Sequence, residues 1–172
     1  ASDSLAQSSP VMVNLIAHEE SLRQTDPTGD SIVTFNEIMY NPAGSTDEQL
    51  EWVELHNQMA IDMDLTGWRL SGGMSFALPS GTVIPGGGYL VIAADPEALQ
   101  EAIGFSLAIG PFAGRLDNGG EEIELRNNSD RVMDILDYND RGDWPVGPDG
   151  SGASLAKRSV HLATAEASSW VT

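Results

Sequence analysis

The chain has no cysteine and a single lysine, Lys157. The first absence excludes disulfides, thiol nucleophiles and thiolate metal sites, and it suits a reducing cytoplasm and a bacterial exported protein equally. Basic residues are scarce, at 8 against 26 acidic ones, for a formal net charge of -18. A surface of that sign repels phosphate backbones and anionic lipid, so neither nucleic acid binding nor membrane association is expected. Divalent cations are the partners this charge does permit. No run of 18 apolar residues is present to span a bilayer, and no basic segment precedes an apolar core as in a signal peptide. If the protein is exported, the signal is expected to lie outside this sequence.

Catalytic patterns are equally sparse. The histidines, His18, His56 and His161, are far apart and form no His-x-x-x-His pair. There is no G-x-S-x-G elbow, and the glycines of PSGTVIPGGG (79–88) lack the lysine of a phosphate-binding loop. Paired carboxylates such as Glu37 with Glu51 or Glu54 have the chemistry for acid–base work on a glycoside. In so acidic a chain, chance pairs of this kind are expected.

What is present is a core. The hydrophobic fraction is 41%, with four Trp, four Phe and three Tyr, so disorder is not the default. Glycine (18) and proline (9) punctuate short apolar runs, as in a protein of brief strands and tight turns. The reading along the chain is an N-terminal arm or the end of a preceding module over 1–30, a main body over 31–160 and a small-residue tail over 161–172, with Trp170 on a loose end. Within the body, IVTFNEIMY (32–40) reads as a strand. LEWVELHN (50–57) alternates, with Val53 and Leu55 inward and Glu54 and His56 toward water. Trp68 centres LTGWRL, and YLVIAA (89–94) reads as a central buried strand. DPEALQEAI (95–103) is the one helix, with Asp95 as N-cap and Pro96 at its first position, too short to be more than a connector. FSLAI (105–109) is a further candidate strand. EEIELRN and RVMDILDY form a hairpin around NSD (128–130), and Trp144, Val146 and Leu155 pin the following loop to the body. Many short strands and almost no helix predict an all-β antiparallel sandwich or barrel.

The ordered segments FNEIMYNP (35–42), EWVELHN (51–57), DLTGWRLSGG (64–73), FALPSGTVIPGGGYLVIA (76–93), LDNGGEEIELRN (116–127) and VMDILDYND (132–140), with Trp144-Pro145, resemble the lamin-tail domain, in particular its bacterial representatives. The likeness covers roughly 31–158. It implies an immunoglobulin-like β-sandwich with Trp68 as the signature core tryptophan and Val53, Leu55, Leu70, Val91, Ile123 and Leu125 as core positions. It carries no catalytic residues. The absence of rod heptads and the acidity argue against a nuclear filament role. The resemblance implies instead a structural, adhesion or interaction module of a larger exported or surface protein. The alternative is an accessory, substrate-recognising domain of a secreted, calcium-dependent hydrolase or nuclease.

Calcium is the cofactor worth expecting, because it takes six to eight oxygens that an acidic loop readily supplies. DYNDRGD (137–143) offers Asp137, Asn139, Asp140 and Asp143 as ligands. Further candidates are Glu37 with Asn41, the group Asp47, Glu48 and Glu51, Asp62 with Asp64, and the turn over 26–30. A solvated acidic face without an ion is the competing reading. Trp52 falls on the outward face of its strand, where it is covered by the N-terminal arm or a long loop, or is exposed for a partner. Arg69, Arg115, Arg126 and Arg131 read as local ion-pair partners. The expected partners are other domains of the same polypeptide, or a surface or matrix protein or glycan.

Overall fold

The computed structural model describes residues 32–44, 47–148 and 150–172. The proposed arm over 1–30 and the acidic turn within it therefore fall outside the described residues.

Alternation becomes two facing sheets. The first is built from β1 (Val33–Met39), β2 (Trp52–Asn57), β7 (Tyr89–Ala93), β11 (Leu155–Lys157) and β12 (Trp170–Val171), in the order β12-β11-β1-β2-β7. The second contains β4 (Arg69–Gly72), β5 (Met74–Ala77), β8 (Ala113–Gly114), β9 (Gly120–Arg126) and β10 (Val132–Asn139), in the order β10-β9-β4-β5-β8. Every pairing between these strands is antiparallel. A small ribbon of β3 (Met63–Asp64) and β6 (Val83–Ile84) completes the set. Phe35, Ile38, Val53, Leu55 and Ile92 from one sheet meet Leu70, Ile123, Leu125 and Leu136 from the other in one continuous core. This is the all-β antiparallel, immunoglobulin-like sandwich expected from the sequence, and Trp68 is buried in its core as expected.

Several details differ from the sequence reading. YLVIAA lies at the edge of its sheet, not in the centre. Its continuous apolar run reports burial on both faces, and the outer cover comes from α1 (Pro96–Ile103), whose Leu99 packs on Val91 and Ala93. The helix is thus part of the packing and not a mere connector. Its ends follow the local signals: Asp95 accepts hydrogen bonds from the Glu97 and Ala98 amides, and Gly104 closes it at φ 76°. FSLAI forms no strand, and only Ile109 bridges to Ile92, in parallel. Val146 is exposed and does not pin its loop, whereas Trp144 packs against the core.

Trp170 is not on a loose end. It is fully buried, its ring lies 6.2 Å from that of Trp144, and β12 pairs with β11. Small polar neighbours hid it, because two-residue strands carry no periodicity.

Candidate functional site

The predicted metal loop is placed as follows. Asp137 is exposed on β10, directly across the ladder from Glu122. The Asn139 side-chain oxygen accepts from the Arg141 amide at 3.2 Å, and Asp140 pairs with the Arg141 guanidinium at 2.9 Å. Asp143 is exposed. Two of the other acidic candidates accept from backbone amides: Asp64 from Thr66 and Asp62 from Gly86. Among the described residues, no three His, Cys, Asp or Glu side chains converge into a group able to hold a metal ion. The arginines behave largely as ion-pair partners. Arg69 and Arg126 both reach Asp130, Arg126 also grips Glu124 at 2.7 Å, and Arg115 meets Glu48 at 3.2 Å.

On the outer face of the first sheet, Glu37 and Glu54 sit opposite each other on β1 and β2. Glu54 is half-buried and accepts from the Asn36 amide group at 2.8 Å. Burial raises its pKa, and neighbouring Glu37 adds to the effect, while the Asn36 hydrogen bond opposes it. Glu37 in turn accepts from the Ser154 hydroxyl. Trp52 on the same face packs into the cluster of Val91, Ala93 and Leu99. Its cover therefore includes α1, which the sequence reading had not offered. His56, expected to face water, is buried at 4% exposure with its ring 4.6 Å from that of Tyr89. Burial lowers its pKa, and the Nδ1 atom has no hydrogen-bond partner among the described residues, so the neutral imidazole is favoured.

The most organised polar group was not singled out from the sequence. Each of β1 and β10 carries a bulge, between Phe35 and Glu37 and between Val132 and Asp134. Bulges free ladder groups and re-aim side chains. Here the freed Phe35 amide donates to Asp134 Oδ2 at 2.8 Å, joining the two sheets. The Thr164 hydroxyl donates to the same oxygen at 2.7 Å and accepts from Lys157 Nζ at 2.7 Å. Trp170 Nε1 donates to the Thr164 carbonyl at 2.9 Å, and Lys157 Nζ stands 5.7 Å from the Trp170 ring centroid. Burial pushes Asp134 up to about 6, against the opposing pull of Thr164 and Lys157. Burial brings Lys157 down to about 8, with Asp134 opposing. Part of this was legible: Asp134 shares strand parity with the inward Leu136 and Tyr138, and Lys157 shares it with the inward Leu155.

A second buried carboxylate, Glu51, accepts from the Leu116 amide at 2.8 Å and holds the segment entering the β9 turn. Tyr138 holds the other side of that turn by donating to the Asp117 carbonyl at 2.8 Å, and burial keeps its phenol protonated.

Over residues 26–140 the sequence matches the family described as Lamin Tail Domain, well over half of the chain. The chain belongs to the lamin tail domain family. No curated protein matches it. The lamin tail match ends at Asp140, just after β10, so Asp134 lies within it while Lys157, Thr164 and Trp170 lie beyond it. Membership of this non-catalytic family agrees with a site inventory in which buried ionisable groups tie strands together. Membership of this non-catalytic structural family is consistent with a structural or interaction module.

Proposed function

We propose that this lamin tail domain serves as an adhesion or protein-interaction module of a larger exported or cell-surface protein, in a bacterial setting. Its partners are other domains of that polypeptide, or a surface or matrix protein or glycan. The observation that carries this reading is how the buried polar groups are used: Asp134, Lys157 and Glu51 take backbone and hydroxyl partners inside the fold. Such a domain supplies a stiff, highly acidic surface rather than a reaction centre. The reading is tested by arraying matrix proteins and glycans against the purified domain. Saturable retention of at least one class, with the ligand recovered at unchanged mass, is expected. No retention overturns the adhesion role, and a changed ligand mass overturns the non-catalytic one.

Calcium enters this proposal as a stabiliser of the loop carrying Asp137, Asn139, Asp140 and Asp143. Its support is the acid density of the segment and the like-charge pairing of Asp137 with Glu122 across the ladder. Binding there requires the Asp140 carboxylate to turn from Arg141 to the ion. Thermal unfolding after EDTA treatment, then with Ca²⁺ or Mg²⁺ at matched ionic strength, checks it. A rise of several degrees with Ca²⁺ alone, abolished by Asp140→Ala, is expected of a native-state site. Equal curves for the two ions retire the calcium site and leave the interaction role untouched.

A further inference from the structure

The two sheets leave a mouth between them where β7 and α1 approach the end of β5. A cleft of about 630 Å³ opens there, with apolar walls from Phe76, Pro79, Pro96, Ile109 and Pro111. That volume falls in the range of sites that take a small ligand or a few residues of peptide. Among the described residues, the charged side chains lining it are Asp95 and Glu97, and none of its lining is basic. Asp95 already occupies the helix amides that would otherwise attract an anion. The segment forming one wall continues into large exposed apolar side chains, Leu107 at 77% and, at the end of α1, Ile103 at 67%. The wall itself is braced: Ile109 exchanges backbone hydrogen bonds with Val91 and Ala93, and the Phe112 amide donates to the Ala93 carbonyl. A braced, largely apolar cleft loses little freedom on binding.

We propose that this cleft docks an extended segment of a partner protein in which an aliphatic residue or proline is flanked by arginine or lysine. This rests on the interaction-module reading and gives it a location. The apolar residue fills the cleft, and the flanking cations meet Glu97 and Asp95 at its rim. The occupant is a different protein, not a second copy, because two chains of net charge -18 repel one another. The wider acidic field speeds encounter with a basic partner and makes that encounter salt-dependent.

The test is an amide-resonance titration of the full, isotope-labelled chain with two synthetic peptides of about twelve residues. Both carry the same Leu-Pro-Leu centre, flanked by Arg in one and Glu in the other. The Arg peptide is expected to shift the resonances of Ala94, Asp95, Glu97 and Ile109 saturably, and the Glu peptide is not. Raising NaCl from about 50 to about 500 mM weakens the interaction severalfold. Glu97→Lys, or filling the cleft with Pro79→Trp, weakens it by about tenfold or more. Both positions are exposed, so unchanged thermal unfolding confirms that each variant folds. The proposal is overturned by the absence of shifts at about 1 mM peptide. It is also overturned by shifts scattered over the acidic surface that neither variant alters. Saturable binding localised elsewhere on the sandwich sinks the cleft and leaves the interaction-module reading standing.

Discussion

At the residue scale, the decisive side chains are those whose chemistry conflicts with their location. Asp134 is an acid at 1% exposure, and its raised pKa fixes a sign. The native state keeps a proton that the unfolded chain gives up, so stability falls as pH rises from about 4 to about 6. Lys157 acts at the other end. The native amine loses its proton more readily than the unfolded one, so its ionisation cost fades and stability rises as pH climbs from about 8 toward 10.5. Between these limits both groups are ionised and bridged by Thr164. Urea denaturation at stepped pH is expected to give a flatter profile over the acidic window in Asp134→Asn and over the alkaline window in Lys157→Met. At neutral pH, Lys157→Met alone leaves the Thr164 hydroxyl without its donor and Asp134 without the nearby positive charge, and is expected to cost roughly 1–3 kcal/mol. The double variant is expected to recover part of that loss. A double variant no more stable than the single one contradicts the coupling.

Trp68 sits at the same scale with simpler physics. Its indole fills the core at 6% exposure, so Trp68→Ala leaves a cavity costing roughly 3–5 kcal/mol in chemical denaturation. An unshifted denaturation midpoint rejects its core role.

At the scale of elements, α1 connects local sequence to tertiary cover. Asp95 and Gly104 determine where it begins and ends, and Leu99 carries its contact with β7. Asp95→Ala removes the acceptor of two helix amides and is expected to cost about 1 kcal/mol. Because Trp52 packs into the same cluster, frayed packing of α1 is expected to red-shift the tryptophan emission as well. A stability loss without any spectral change implies that Trp52 is covered independently of the helix. The C-terminal elements show the reverse relation. β11 and β12 have three and two residues; β11 pairs with the distant β1, and Thr164, tied to Lys157 and Trp170, donates to Asp134 of β10. Asp134 and Thr164 are 30 positions apart, and Phe35 and Asp134 are 99 apart, so no local pattern announces the network.

At the scale of the whole molecule, 26 acidic side chains against 8 basic ones make self-repulsion the dominant long-range force. Exposed ion pairs such as Arg115 with Glu48 offset little of it. Adding monovalent salt, from about 20 to about 500 mM NaCl, is therefore expected to raise the melting temperature by a few degrees through screening. Calorimetry at constant pH checks this. A flat response implies that the charges are already compensated locally, by ion pairs or bound cations.

The sequence by itself determined the longer sheet-forming segments such as β1, β2 and β7, the β9–β10 hairpin, the ends of α1, the burial of Trp68 and the lamin-tail resemblance. Each is written in adjacent residues, through alternation, caps and turn chemistry. Only the tertiary structure decided that β7 is an edge strand, that His56 is buried and that α1 covers Trp52. It also decided that Asp134, Thr164 and Lys157 meet beneath a buried Trp170. Lateral strand order, bulge positions and the enclosure of polar groups depend on which distant segments pack together, and that information belongs to the assembled sheets.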